Sequence, residues 1–66
     1  MDVTVNGTLT NMGAGALVAS VVAGLGIGPT GSAVALNGEV VPRSDWARVE
    51  LAPGDVVEVL TAVQGG

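Results

Sequence analysis

Read for the alternation of apolar and polar positions, the chain opens with a period of two. Val3 and Val5 fall on one side of a short extended run from Asp2 to Val5, Asn6-Gly7 follows, and Thr8-Leu9-Thr10 alternates again. Asn-Gly tolerates positive φ at both positions and suits the tight turns that join twisted antiparallel strands, so the pattern predicts an N-terminal hairpin. Asn11 to Gly15 reads as a turn or loop. From Ala16 the period changes: Leu17, Val18, Val21, Val22 and Leu25 recur at i, i+1, i+4, i+5 and i+8, one face of a helix. No capping side chain precedes that helix unless Asn11 serves, and three of its apolar positions are β-branched. Glycines from Gly24 onward and Pro29 end it.

The period of two then returns. Ser32 to Leu36 is the next strand, Asn37-Gly38 a second hairpin turn and Glu39-Val40-Val41 a short return strand that Pro42 stops. Arg43 to Ala47 reads as a turn or helical turn, Arg48 to Leu51 as a short irregular or extended piece, and Pro53-Gly54-Asp55 as a turn. Val56 to Val63 is the last strand and the longest apolar one. Its faces divide into Val57, Val59 and Thr61 against Val56, Glu58, Leu60 and Ala62. The face holding Glu58 is assigned to solvent and the other to the core.

Strand, strand, helix, strand, short strand, strand is an α+β order in which the one helix can bury its apolar face only against the sheet. The compact solution pairs the first and last strands in parallel at the middle, the arrangement of the β-grasp, or ubiquitin-like, fold. The expectation is a mixed sheet of four to five strands with one helix packed across it. Residues 1–62 form that domain and residues 63–66 a flexible C-terminal diglycine tail.

Composition narrows the function. The 66 residues contain no cysteine, histidine or tyrosine, and the only basic side chains are Arg43 and Arg48. The usual general base, thiol nucleophile, Schiff-base amine and phenol are therefore all missing, and the chain is not expected to be an enzyme. A formal charge of −4 opposes binding to a phosphate backbone, so no nucleic-acid partner is expected. The acids show no metal-loop spacing and read as a solvated surface, with surface pairs to the arginines of little worth. Met12 to Ile27 is uncharged but glycine-interrupted and shorter than the roughly 20 residues of a spanning helix, so a core helix is favoured over a membrane one. Gly26 to Gly31 satisfies G-x-G-x-x-G, yet it follows a helix and leads into a strand, the reverse of a dinucleotide fingerprint. Trp46 is read as a lid over the small core beside Pro42.

What remains is the chain end, Val63-Gln64-Gly65-Gly66. Gly65 and Gly66 lack Cβ atoms and would let the backbone thread a narrow channel, delivering the α-carboxylate of Gly66 into another protein's active site. A carboxylate is a poor electrophile until an acyl adenylate made from ATP gives it a leaving group. Val56, Leu60 and Ala62 on the open face, with Val63 and Gln64 leading to the glycines, form the candidate docking surface for such a partner.

Asn37-Gly38-Glu39-Val40-Val41-Pro42-Arg43, then Trp46, Leu51, Gly54-Asp55, a Val-rich strand and Val63-Gln64-Gly65-Gly66 together resemble the ThiS family of sulfur carriers in thiamine biosynthesis. The resemblance implies a cytoplasmic β-grasp carrier, monomeric when free. Its Gly66 carboxylate would be adenylated by an E1-like adenylyltransferase of the ThiF type and converted to a thiocarboxylate. Sulfur would come from a cysteine desulfurase relay and pass to thiazole synthase. No cofactor is bound by the carrier itself; ATP with Mg is used by the activating partner. Without cysteine the chain cannot hold sulfur as a persulfide, which agrees with a carboxyl carrier. Three other readings stand beside it: a MoaD-type carrier for molybdopterin synthesis, a non-covalent interaction domain with an inert tail, and a membrane-associated peptide.

Overall fold

Both asparagine-glycine turns form hairpins. The computed structural model describes residues 1–26 and 31–61, and in it Asn6 and Asn37 adopt φ of 49° and 51°, followed by Gly7 and Gly38 at 81° and 84°. The first turn joins β1 (Asp2–Val5) to β2 (Thr8–Asn11), and the second joins β3 (Ser32–Leu36) to β4 (Glu39–Val41). Between them lies α1 (Val18–Gly24); after β4 come a 3-10 turn (Arg43–Asp45) and β5 (Val56–Thr61). Among the described residues the sheet has five strands in the order β2-β1-β5-β3-β4. β5 pairs parallel with β1 and antiparallel with β3, so the last strand sits at the centre, in the β-grasp arrangement.

The core is aliphatic. Val3, Val5, Val34, Val57 and Val59 from the sheet meet Val18, Val21 and Val22 from α1, and Trp46 and Leu51 close the cluster. Trp46 is the expected lid: its ring is buried, and Nε1 donates to the Val41 carbonyl at 2.8 Å. That bond gives the indole N–H a partner, which a buried tryptophan needs.

The helix departs from its sequence pattern at both ends. It begins at Val18, and Leu17 stands in the extended N-cap position with φ −108° and ψ 163°. Asn11 does not cap it; that residue ends β2, and its Nδ2 donates to Asp2 Oδ1. The unpaired N–H groups of the first turn instead find main-chain carbonyls: Val18 N–H donates to Val49 and Ala19 N–H to Trp46, each at 3.0 Å. Leu17 also forms a bridge with Glu50, and its N–H donates to Ser20 Oγ at 3.1 Å. A neighbouring segment thus does the work of a capping side chain. At the other end Leu25, assigned by periodicity to the buried face, lies past the last helical residue and is 44% exposed. The helix is 7 residues long. No described helix is long and apolar enough to cross a membrane.

Candidate functional site: the open face of the last strand

Alternation along β5 places Val57 and Val59 under the helix and turns Val56, Glu58 and Leu60 to the opposite side. Val56 is 42% and Leu60 69% exposed, so the two described members of the candidate docking surface lie where the sequence places them. Thr61 does not. Alternation assigns it to the core with Val57 and Val59, but it is exposed. The cause is its position: Val34↔Val59 is the last buried pair of β3 and β5, and Thr61 lies beyond it, opposite Ser32. Ala62, Val63, Gln64, Gly65 and Gly66 fall outside the described residues.

Sheet register enlarges the patch. Leu9 lies opposite Thr4, which lies opposite Val56; Val40 lies opposite Ala35, which lies opposite Glu58. Directly paired residues share a face, so Leu9 and Val40 join Val56 and Leu60 on the open side. Leu9 is 71% and Val40 74% exposed. Ala33, opposite Leu60, and Ala35 keep the space between them low. The sequence pattern singles out neither Leu9 nor Val40. A single apolar residue between two polar ones shows no face by itself, and only the pairing register assigns one.

The charges on this face are of one sign. By the same alternation the described charged residues on it are Asp2 and Glu58, while Arg43 and Arg48 lie in the connection between β4 and β5. Glu58 stands in the central strand between Val56 and Leu60. Exposed apolar side chains around a carboxylate suit a protein surface with apolar contacts and a cation, and oppose an anionic one. Among the described residues no group of three carboxylates comes together that would hold a metal ion.

The strand itself is held from both sides. Asn37 Oδ1 accepts from Val56 N–H at 2.9 Å, and Asn37 Nδ2 donates to Asp55 Oδ1 at 3.1 Å. Asn6 Oδ1 accepts from Val59 N–H at 2.8 Å. The two turn asparagines therefore do more than permit positive φ. Each extends its hairpin by one side-chain acceptor to grip the central strand, and the strand leads from there directly to residues 62–66.

Comparison with known proteins gives concordant matches. The model of the ThiS family matches residues 3–66. A thiazole synthase of Paramagnetospirillum magneticum is 33% identical over 66 residues, which is 100% of this chain and 20% of that protein. The chain thus spans about a fifth of the length of this curated relative. Among solved structures, the crystal structure of the thiamine biosynthesis protein ThiS from Geobacter metallireducens superposes with a TM-score of 0.81 at 30% identity, 100% of each chain being covered. A solution structure of a thiamine biosynthesis protein from the same organism gives 0.82 at 35% identity, covering 100% of this chain and 88% of that one.

Proposed function

The chain belongs to the ThiS family, and from that premise we propose that it is a sulfur carrier for synthesis of the thiamine thiazole, with the sulfur held at the α-carboxyl of Gly66. The observation that carries this reading is the placement of β5: a central strand, anchored by two asparagines, whose outer face sets exposed Val56 and Leu60 around Glu58 and whose sequence leads into Ala62-Val63-Gln64-Gly65-Gly66. A carrier needs a rigid body for its partners to recognise and a thin, featureless terminus for their active sites to enter. This chain combines both, and it supplies no catalytic side chain of its own.

In the proposed sequence an E1-like enzyme of the ThiF type binds the open face and takes the tail into its nucleotide site. A carboxylate oxygen of Gly66 attacks the α-phosphorus of ATP, and pyrophosphate leaves. The terminal sulfur of a relay donor's persulfide then attacks the acyl carbon and AMP leaves, giving an acyl disulfide with the donor. A thiol of the partner machinery attacks the donor's own sulfur, forming a disulfide there and releasing the thiocarboxylate on Gly66. The chain's own contribution is positional. Gly65 and Gly66 present no side chains to a tight channel, and Leu60, Val56 and Glu58 register the body on the partner. Magnesium and ATP belong to the activating enzyme, and the setting is the cytoplasm.

Thiazole synthase is the proposed acceptor, supported by the match of the whole chain to part of a protein bearing that name. Incubation with a ThiF-type enzyme, Mg-ATP and a sulfur donor tests the reading. Intact mass should rise by the difference between sulfur and oxygen.

A further inference from the structure

The hydrogen-bond pattern of β5 leaves one lane of the sheet open where the tail begins. Val57 and Val59 turn their main-chain groups towards β1: Asn6 N–H donates to the Val57 carbonyl at 2.9 Å, and Val59 N–H donates to Asn6 Oδ1 at 2.8 Å. Val56 turns its groups the other way, to Asn37 at 2.7 and 2.9 Å. By this alternation Thr61 faces the β1 side with Val57 and Val59. β1 ends at Val5, however, and the chain turns back at Asn6-Gly7 to run as β2. Among the described residues nothing meets the Val59 carbonyl or the Thr61 N–H in that lane. Asn6, Gly7 and Thr61, the described residues that flank the mouth of this lane, are all exposed.

We infer that an extended main-chain segment of the activating enzyme occupies this lane and adds a short strand beside β5, in line with β1. One partner residue would donate its N–H to the Val59 carbonyl and accept from Thr61 N–H. That is the pattern by which Asn6 already bridges Val57 and Val59. An unpaired strand edge is a template for such addition, and the recognition is by backbone, so it asks little of the partner's sequence. The consequence is mechanical. With Thr61 held, only residues 62–66 are left between the fixed strand and the reacting carboxyl, a reach of about 16–18 Å when extended. The enzyme then orders a five-residue tether from a fixed base, which is what delivery of a carboxylate to a nucleotide requires.

This inference rests on the carrier reading, so the experiment has separate arms. The unaltered protein is assayed first for adenylation, and its absence would remove the carrier reading and the enzyme partner together. Given activity, two variants delete the Thr61 donor. One replaces the Thr61 amide by an ester through semisynthesis; the other is Thr61→Pro. Neither removes an N–H that is bonded within the described chain, so thermal midpoints should stay close to that of the unaltered protein. The kcat/KM for adenylation should fall by about threefold to tenfold, the worth of one main-chain hydrogen bond. Unchanged kcat/KM in both variants overturns strand addition while leaving the carrier reading intact. Hydrogen exchange supplies an arm independent of catalysis. In the free protein the Thr61 amide should exchange fast and the Val59 amide slowly, and the enzyme should slow Thr61. Slow exchange at Thr61 in the free protein means that the lane is already filled and overturns the inference; protection that grows with concentration would assign it to a second copy of this chain.

Discussion

Asn6 Oδ1 accepts a hydrogen bond from the Val59 main-chain N–H at 2.8 Å, across 53 positions of sequence. The residue that makes the first turn therefore also supplies the last rung between β1 and β5. Replacement by glycine keeps the left-handed backbone and removes only the side chain. Asn6→Gly should lower stability by about 1–2 kcal/mol, the cost of leaving a buried-strand donor without its partner. Asn6→Asp retains an acceptor and should lose less. Urea unfolding followed by circular dichroism measures both, and equal losses would show that the side-chain oxygen has no part in holding β5.

The two faces of β5 should separate stability from binding. Val57 is fully buried, and Val57→Ala should cost about 2–3 kcal/mol from lost burial and the cavity left behind. Leu60 is 69% exposed, and Leu60→Ala should change stability by no more than about 0.5 kcal/mol. Affinity for the activating enzyme should show the reverse order. Leu60→Ala should weaken it by about tenfold or more, as truncation of an apolar anchor does. Calorimetric titration of folded variants reads this, and an unaltered affinity for Leu60→Ala would remove the open face as the docking surface.

Trp46 ties the β4–β5 connection to the sheet through its bond to the Val41 carbonyl. Trp46→Phe keeps an aromatic ring but removes the donor and leaves the smaller ring short of the space. A loss of about 1–3 kcal/mol in guanidinium unfolding is expected. A neutral substitution would mean that the lid acts by area alone.

Much of this was legible in the chain because local chemistry and tertiary need coincide. Asn6-Gly7 and Asn37-Gly38 name their turns, and the alternation of Val57 and Val59 with Glu58 names the buried face. The elements that escaped sequence reading depend on partners far along the chain. The helix has no capping side chain because the carbonyls of Trp46 and Val49 receive its first N–H groups, a contact that no local pattern announces. Leu25 and Thr61 continue their periods past the point where the core ends, so periodicity places each on a buried face that no longer exists there. Leu9 and Val40 reach the open face only through the register of four pairings. The chemistry proposed for the tail rests on the sequence of Gly65 and Gly66 and on the ThiS family match. Its glycines lie outside the described residues.

The proposed carrier role turns on one atom at Gly66, and intact mass reads that atom. Incubated with a ThiF-type enzyme, Mg-ATP and a sulfur donor, the unaltered protein should gain the mass of sulfur replacing one oxygen, and a variant lacking Gly66 should remain folded and gain nothing. An unaltered protein that is bound and adenylated but never gains that mass, or a truncated one that gains it as readily, would contradict sulfur transfer at this carboxyl.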